Sequence, residues 1–99
     1  MIINKTQGNG KFTLVLEGRL DTNTAPQLQE VLIPAFDEAK EIELDFSQLA
    51  YVSSAGLRVL LIGQKTATAK GVPMTLSRVS EEIMEILEMT GFTDILTII

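Results

Sequence analysis

The sequence contains neither cysteine nor histidine, and these two absences exclude several kinds of functional site. Without a thiol or an imidazole, no Ser-His-Asp or Cys-His nucleophilic centre can form within the chain. Disulfide bonds and zinc sites with thiolate or imidazole ligands are excluded for the same reason. The Gly-x-Ser-x-Gly and Gly-x-x-x-x-Gly-Lys motifs of hydrolases and nucleotide-binding enzymes are also absent. The sequence therefore predicts no catalytic residue, no metal site and no cofactor.

Basic residues are scarce relative to acidic ones, with 8 Lys and Arg against 13 Asp and Glu and a formal net charge of −5. An acidic protein is not attracted electrostatically to nucleic acid or to an anionic membrane. No apolar run reaches the ~18 residues of a membrane span. The N-terminal residues also lack the charged start and long apolar core of a signal peptide. We therefore expect a cytoplasmic protein with no direct nucleic-acid contact and no membrane insertion.

The chain of 99 residues, 45% of them hydrophobic, has the size of one domain covering residues 1–99. Its apolar spacing predicts the order β-β-α-β-α-β-α-β. The predicted strands cover residues 1–6, 11–17, 41–46, 72–77 and 94–99, and the predicted helices cover residues 24–39, 54–70 and 81–90. This alternation indicates an α/β fold with a mixed, mostly parallel sheet and an N-terminal antiparallel hairpin.

The first predicted helix has two distinctive features at its ends. Thr24 and Gln27 have the spacing of a capping box, and Pro26 lies in the first turn, where no intrahelical N–H is lost. Pro34 lies inside the apolar pattern that runs to residue 39. Because proline removes a backbone hydrogen bond and clashes with the preceding turn, it should kink this helix or divide it in two.

The segment from Tyr51 to Leu61 is the most informative part of the sequence. A strand pattern precedes it and a helical pattern of leucines follows, so Ser53 or Ser54 should cap the amino terminus of a helix. A serine at this position is also favourable for a phosphoryl group, because the free backbone N–H groups and the helix dipole favour negative charge. Gly56 should let the helix approach a strand closely.

Four short segments make the chain resemble the STAS domain family in its stand-alone form, the anti-sigma factor antagonists. The segments are Gly18-Arg19-Leu20-Asp21, Asp45-Phe46-Ser47-Gln48-Leu49, Tyr51-Val52-Ser53-Ser54-Ala55-Gly56-Leu57 and Met89-Thr90-Gly91-Phe92. The resemblance covers nearly the whole chain. It implies a mixed sheet with helices packed mainly on one face.

The resemblance also implies a regulatory site around Ser54. In the family, an anti-sigma factor that is also a serine kinase phosphorylates the first hydroxyl of an Asp-Ser-Ser/Thr-Gly-Leu pattern. In this chain the acceptor is Ser54, while Ser53 and Ala55 replace the aspartate and the second hydroxyl. Asp21 matches an acidic residue of an earlier loop. The implied partner-binding residues are Asp21, Ser53, Ser54, Ala55, Gly56 and Arg58.

The implied function is therefore that of a binding protein. Unmodified, it sequesters the anti-sigma factor and frees a sigma factor, and a serine phosphatase restores it after phosphorylation. Each feature has a simpler interpretation: Ser54 as a helix cap, Asp21 as a turn residue, and Arg58 and Lys65, which share a helix face, as solvated charges.

Two other functions remain open at this point. A constitutive subunit of a larger assembly, such as a lipid-transport complex or a signalling scaffold, needs no phosphorylation, and the residues at positions 53 and 55 fit it. A carboxylate-based hydrolase is the alternative from a different class. The sequence does not determine the oligomeric state.

Overall fold

The computed structural model describes all residues from Met1 to Ile99. The elements in chain order are β1 (Ile2–Gly8), β2 (Lys11–Leu20), α1 (Ala25–Ala35), β3 (Glu41–Val52), α2 (Ser54–Lys70), β4 (Met74–Ser77), α3 (Glu81–Met89), a 3₁₀ helix (Phe92–Asp94) and β5 (Thr97–Ile98). The strands form one sheet in the order β1-β2-β3-β4-β5. β1 and β2 are antiparallel, and each later strand is parallel to its neighbour. The predicted α/β fold class is confirmed.

The core lies between one face of this sheet and the helices. The buried strand side chains include Phe12, Leu14, Leu16, Ile42, Leu44, Met74 and Leu76. Each helix connects two adjacent parallel strands and the order advances in one direction, so right-handed crossovers place all three helices on the same face. The intervening positions form a polar sheet face, which includes Lys11, Thr13, Glu43, Asp45 and Ser77.

The prediction that the first helix continues to residue 39 beyond an interruption at Pro34 is wrong, because α1 ends at Ala35, one residue after Pro34. The next backbone N–H groups turn back on shorter bonds: Phe36 N donates to Ile33 O at 3.2 Å and Asp37 N to Pro34 O at 3.1 Å. Because the Pro34 nitrogen is part of the ring and carries no hydrogen, the last turn of α1 lacks one backbone N–H donor. The apolar pattern beyond it belongs to a turn that buries Phe36 and Ala39 against the core.

The predicted capping box at Thr24 and Gln27 is also wrong, because no side chain caps α1. Thr24 Oγ1 instead accepts from Asp21 N at 2.8 Å and donates to Arg19 O at 2.8 Å. Gln27 Nε2 donates to Met1 O at 3.0 Å. The Thr24 hydroxyl therefore stabilises the loop before α1 and does not cap the helix.

Two central strands are longer than predicted and the last strand is shorter. β2 passes through Gly18, whose φ of +108° accompanies a shift of register against β3. β3 in turn continues to Val52, which brings its end next to the start of α2. At the carboxyl end, only Thr97–Ile98 pairs with β4, because residues 92–94 form a 3₁₀ helix.

The predicted ends of α2 and α3 are confirmed. Gly71 adopts the left-handed conformation with φ +66°, as expected of a glycine that follows a helix. Ser80 caps α3 by accepting from Ile83 N at 3.2 Å. Both signals act within a few residues of chain, which is why the sequence alone reveals them.

Candidate functional site

The amino terminus of α2 is capped by Ser53 and not by Ser54. Ser53 has an extended backbone, and its Oγ accepts from Gly56 N at 3.3 Å. Its own N–H donates to Leu20 O at 2.9 Å, which ties the start of the helix to the end of β2. Ser54 is the first helical residue, exposed, and its hydroxyl makes no hydrogen bond to another residue. The two serines therefore differ: Ser53 caps the helix, and Ser54 has a hydroxyl that is free of hydrogen bonds within the protein.

Gly56 allows α2 to approach β2 as closely as the sequence analysis expected. A Cβ atom at this position would lie 2.7 Å from Leu20 Cγ and 2.9 Å from Leu20 O. Any side chain would push the helix away from the strand end. Since the cap at Ser53 is bonded to the same Leu20 carbonyl, the contact at Gly56 fixes where Ser54 is presented.

Asp21 organises the loop between β2 and α1. Its Oδ1 accepts from Asn23 N at 3.0 Å and from Thr24 N at 3.1 Å, and Arg19 Nε lies 3.8 Å from Oδ2. Partial desolvation of this carboxylate acts to raise its pKa. The hydrogen bonds from Thr24 and Asn23, together with the Arg19 charge, outweigh this and hold the pKa of Asp21 below its ordinary value. Asp21 is thus a charged loop residue close to α2.

A shallow groove runs between the amino-terminal parts of α1 and α2, beside this loop. It is lined by Thr22, Ala25, Pro26, Gln29, Ser54, Ala55, Arg58, Val59 and Ile62. Of the six predicted partner-binding residues, Ser54, Ala55 and Arg58 line the groove. Ser53 and Gly56 lie behind them and hold the helix end, and Asp21 precedes Thr22 in the loop. The structure therefore brings the predicted residues into one region, where three are accessible from the groove and three support it.

The sequence did not predict a pair of side chains near the carboxyl ends of β2 and β3. The Arg19 guanidinium lies 4.3 Å from the centroid of the Tyr51 ring, a cation–π contact, and Tyr51 is 38% exposed. Arg19 and Tyr51 are register partners on β2 and β3. Their pairing follows only from the full length of both strands, which the apolar pattern did not reveal.

Comparison with known proteins gives this region a context. A family model described as "Mlab, STAS domain" matches residues 4–97. The chain belongs to the STAS domain family. The match includes every residue that lines the groove and the loop before α1. As for membranes, no helix of this STAS domain is long and apolar enough to cross a bilayer.

Two curated relatives are named for antagonism of an anti-sigma factor. The chain is 25% identical over 96 residues to the anti-sigma-B factor antagonist of Bacillus subtilis, which covers 97% of this chain and 88% of that protein. It is 31% identical over 88 residues to BtrV of Bordetella bronchiseptica, named an anti-sigma factor antagonist, with coverage of 88% and 76%. The names of both relatives describe regulation through an anti-sigma factor.

Solved structures share the fold. The anti-sigma factor antagonist SpoIIAA in its unphosphorylated form superposes with a TM-score of 0.79 at 16% identity, covering 99% of this chain and 87% of that one. SpoIIAA from Bacillus has also been solved in its phosphorylated form, with a TM-score of 0.77, 16% identity, and coverage of 99% and 91%. At this identity the likeness establishes the STAS fold.

Proposed function

We propose that this chain is a cytoplasmic anti-sigma factor antagonist whose binding is switched by phosphorylation of Ser54. Unmodified, it binds and sequesters an anti-sigma factor that is also a serine kinase, and so frees a sigma factor. A serine phosphatase returns the modified chain to its binding form. The observation that carries the proposal is the free, exposed hydroxyl of Ser54 beside a serine that already caps the helix.

The position of Ser54 suits a phosphoryl group within this chain. The first backbone N–H groups of a helix have no acceptor within it, and the dipole favours negative charge there. In the family pattern an aspartate precedes the acceptor, and here Ser53 occupies that place. Ser53 still accepts the bond from Gly56 N, so the helix end keeps its cap without the carboxylate.

Phosphorylation would act mainly on the complex. It adds about −1.5 to −2 charges and a strongly hydrated group to the surface that contacts the partner. A coupling free energy of about 3 kcal/mol would weaken binding roughly 150-fold, which suffices for a switch without a change of fold. SpoIIAA, a neighbour of the same fold, has been solved in both phosphorylated and unphosphorylated forms, which supports this interpretation.

The other predicted residues have distinct parts in the proposed interface. Ala55 and Arg58 contact the partner beside Ser54, from the wall of the groove. Ser53 and Gly56 fix the helix end against Leu20, and Asp21 shapes the neighbouring loop. The contact surface is therefore built on two rigid supports, a capped helix and a hydrogen-bonded loop.

Affinity capture from the source cell's lysate tests the proposal, with the wild-type chain, Ser54→Ala and Ser54→Asp as baits. Ser47→Asp, the same charge change at an exposed serine of β3, is the matched control. We expect an anti-sigma factor with a kinase domain on wild type, Ser54→Ala and Ser47→Asp, and its loss on Ser54→Asp. Fragment mass spectrometry should place phosphate at Ser54 of the wild-type bait.

The contrary result is equally clear. Recovery of one and the same non-kinase complex on all four baits, with no phosphate at Ser54, would overturn the switch. Ser54 would then be an ordinary surface residue and the chain a constitutive subunit of an assembly.

A further inference from the structure

Helix α2 has a charge opposite to that of the rest of the chain. Of 8 basic and 13 acidic residues in the sequence, α2 contains three basic residues, Arg58, Lys65 and Lys70, and no acidic one. Lys70 is paired with Asp37 at 2.6 Å. Arg58 and Lys65 are exposed and form no ion pair. The accessible face of α2 therefore presents two free positive charges in an acidic protein.

Arg58 lies one turn after Ser54 on this face. Residues four apart on a helix are neighbours, with Cβ atoms about 5–6 Å apart. Side chains of a helix lean toward its amino terminus, so the long Arg58 side chain can reach the turn that contains Ser54. Both residues line the same groove, and Arg58 is the one charged residue among those that line it.

We propose that Arg58 exchanges a contact with the partner for a contact with the phosphoryl group. This inference rests on the proposed phosphorylation of Ser54. In the unmodified chain, Arg58 binds an acidic patch on the anti-sigma factor. In the phosphorylated chain, the guanidinium turns onto the phosphoryl oxygens of its own helix and leaves that patch unpaired. The switch thus removes an attractive contact as well as adding a repulsive group.

Charge complementarity identifies the partner's chemistry. A groove whose single charge is positive, on a helix without acidic residues, matches carboxylates and not a basic surface. Arginine also suits the second role, because its planar guanidinium binds a phosphoryl group through two parallel hydrogen bonds. Since both sites lie within reach of one side chain, the two contacts compete.

Lys65 provides a matched control. It lies on the same face as Arg58 and is likewise positively charged and exposed, but is eleven residues from Ser54. At about 1.5 Å of rise per residue, that separation is about 16 Å, beyond the reach of a lysine side chain to the phosphoryl group. Lys65→Gln therefore removes an equal charge from α2 without affecting the proposed exchange.

The first test needs no partner. With phosphoserine encoded at position 54, ³¹P NMR measures the second pKa of the phosphoryl group in the wild type, Arg58→Gln, Arg58→Lys and Lys65→Gln. We expect Arg58→Gln to raise this pKa by roughly 0.3 to 1 unit, Arg58→Lys to restore part of the difference, and Lys65→Gln to leave it unchanged. Equal values for Arg58→Gln and Lys65→Gln would overturn the intramolecular contact.

The second test measures the factor by which phosphoserine at position 54 weakens binding to the captured anti-sigma factor. We expect Arg58→Gln to reduce this factor about fivefold or more relative to wild type, and Lys65→Gln to leave it within twofold. An unchanged or larger factor in Arg58→Gln would show repulsion alone, which contradicts the role of Arg58 but not the switch. A factor near one in wild type would contradict the switch itself.

Discussion

The polar sheet face and the amino terminus of α2 use polar side chains in opposite ways. On the sheet face, Glu43 Oε1 lies 2.8 Å from Lys11 Nζ, and its Oε2 accepts from Ser77 Oγ at 2.6 Å. At the helix terminus, the Ser54 hydroxyl and the Arg58 guanidinium have no protein partner. The first region satisfies its polar groups internally and the second leaves them accessible to another molecule.

The polar groups of the sheet face thus stabilise the fold, whereas those at the helix terminus are available for binding. The hydrogen bonds from Lys11 and Ser77 hold the pKa of Glu43 below its ordinary value, so this carboxylate remains charged and joins β2, β3 and β4. Free groups next to a rigid support are better suited to reversible contacts, because no internal bond must break before they bind. Four predictions test this division, in order of decreasing expected effect.

Gly56→Val should have the largest effect on stability, because Gly56 both supports the helix end that presents Ser54 and packs against the buried Leu20. The new Cβ would lie 2.7 Å from Leu20 Cγ. We expect a loss of about 2–3 kcal/mol in the free energy of unfolding, measured by chemical denaturation. Gly8→Ala is the control, since a Cβ there meets nothing within 4 Å. Equal effects of the two substitutions would refute the close approach of α2 to β2.

Ser54→Asp should separate binding from stability. We expect weakening of anti-sigma factor binding by up to about 150-fold, measured by calorimetry, with the free energy of unfolding within about 0.5 kcal/mol of wild type. The reason is that the exposed residue 54 has no side-chain hydrogen bond to lose, while its new charge would lie in the proposed contact surface. A variant that unfolds easily and binds normally would reverse the assignment.

Ser53→Ala and Ser54→Ala should differ in their effects on stability, although the two serines are adjacent. Loss of the cap at Ser53 should cost about 1 kcal/mol in thermal or chemical unfolding, because Gly56 N loses its acceptor. Ser54→Ala should change stability by less than about 0.5 kcal/mol. Equal losses would mean that the two hydroxyls share the capping role.

Glu43→Gln should have the smallest effect, and one that depends on pH. Because the folded-state pKa of Glu43 is lowered, its ionisation stabilises the fold above its usual pKa near 4.5, and this contribution is lost as pH falls through the folded value. We expect the variant to lose less than about 1 kcal/mol at neutral pH and to lack this part of the acid sensitivity. Glu41→Gln, on the same strand but without an ion pair, should retain the acid sensitivity of wild type.

Local signals in the sequence predicted the order of elements and the helix caps at Ser53 or Ser54, Ser80 and Gly71. Such caps depend on side chains and backbone within one turn of each other. The true lengths of β2 and β3 were not predictable in this way, because Gly18 continues β2 through a register shift that only the neighbouring strand imposes. The pair of Arg19 and Tyr51 was missed as a result.

Thr24 shows the same limit within the candidate site. Its sequence context fits a helix cap, yet its hydroxyl bonds to Asp21 N and Arg19 O because the end of β2 brings that loop within reach. The resemblance to STAS domains pointed to Ser54 and its neighbours as the candidate site. It did not reveal that Ser53 alone makes the cap, or that Arg58 is the one charge lining the groove.

The most direct test of the proposed switch at Ser54 is to incubate the complex of this chain and its captured anti-sigma factor with ATP. Phosphate at residue 54 and dissociation are then followed in the same sample by mass spectrometry and light scattering. We expect the complex to dissociate as Ser54 becomes phosphorylated, and the Ser54→Ala complex to stay bound. A complex that persists while Ser54 is fully phosphorylated would contradict the proposed switch.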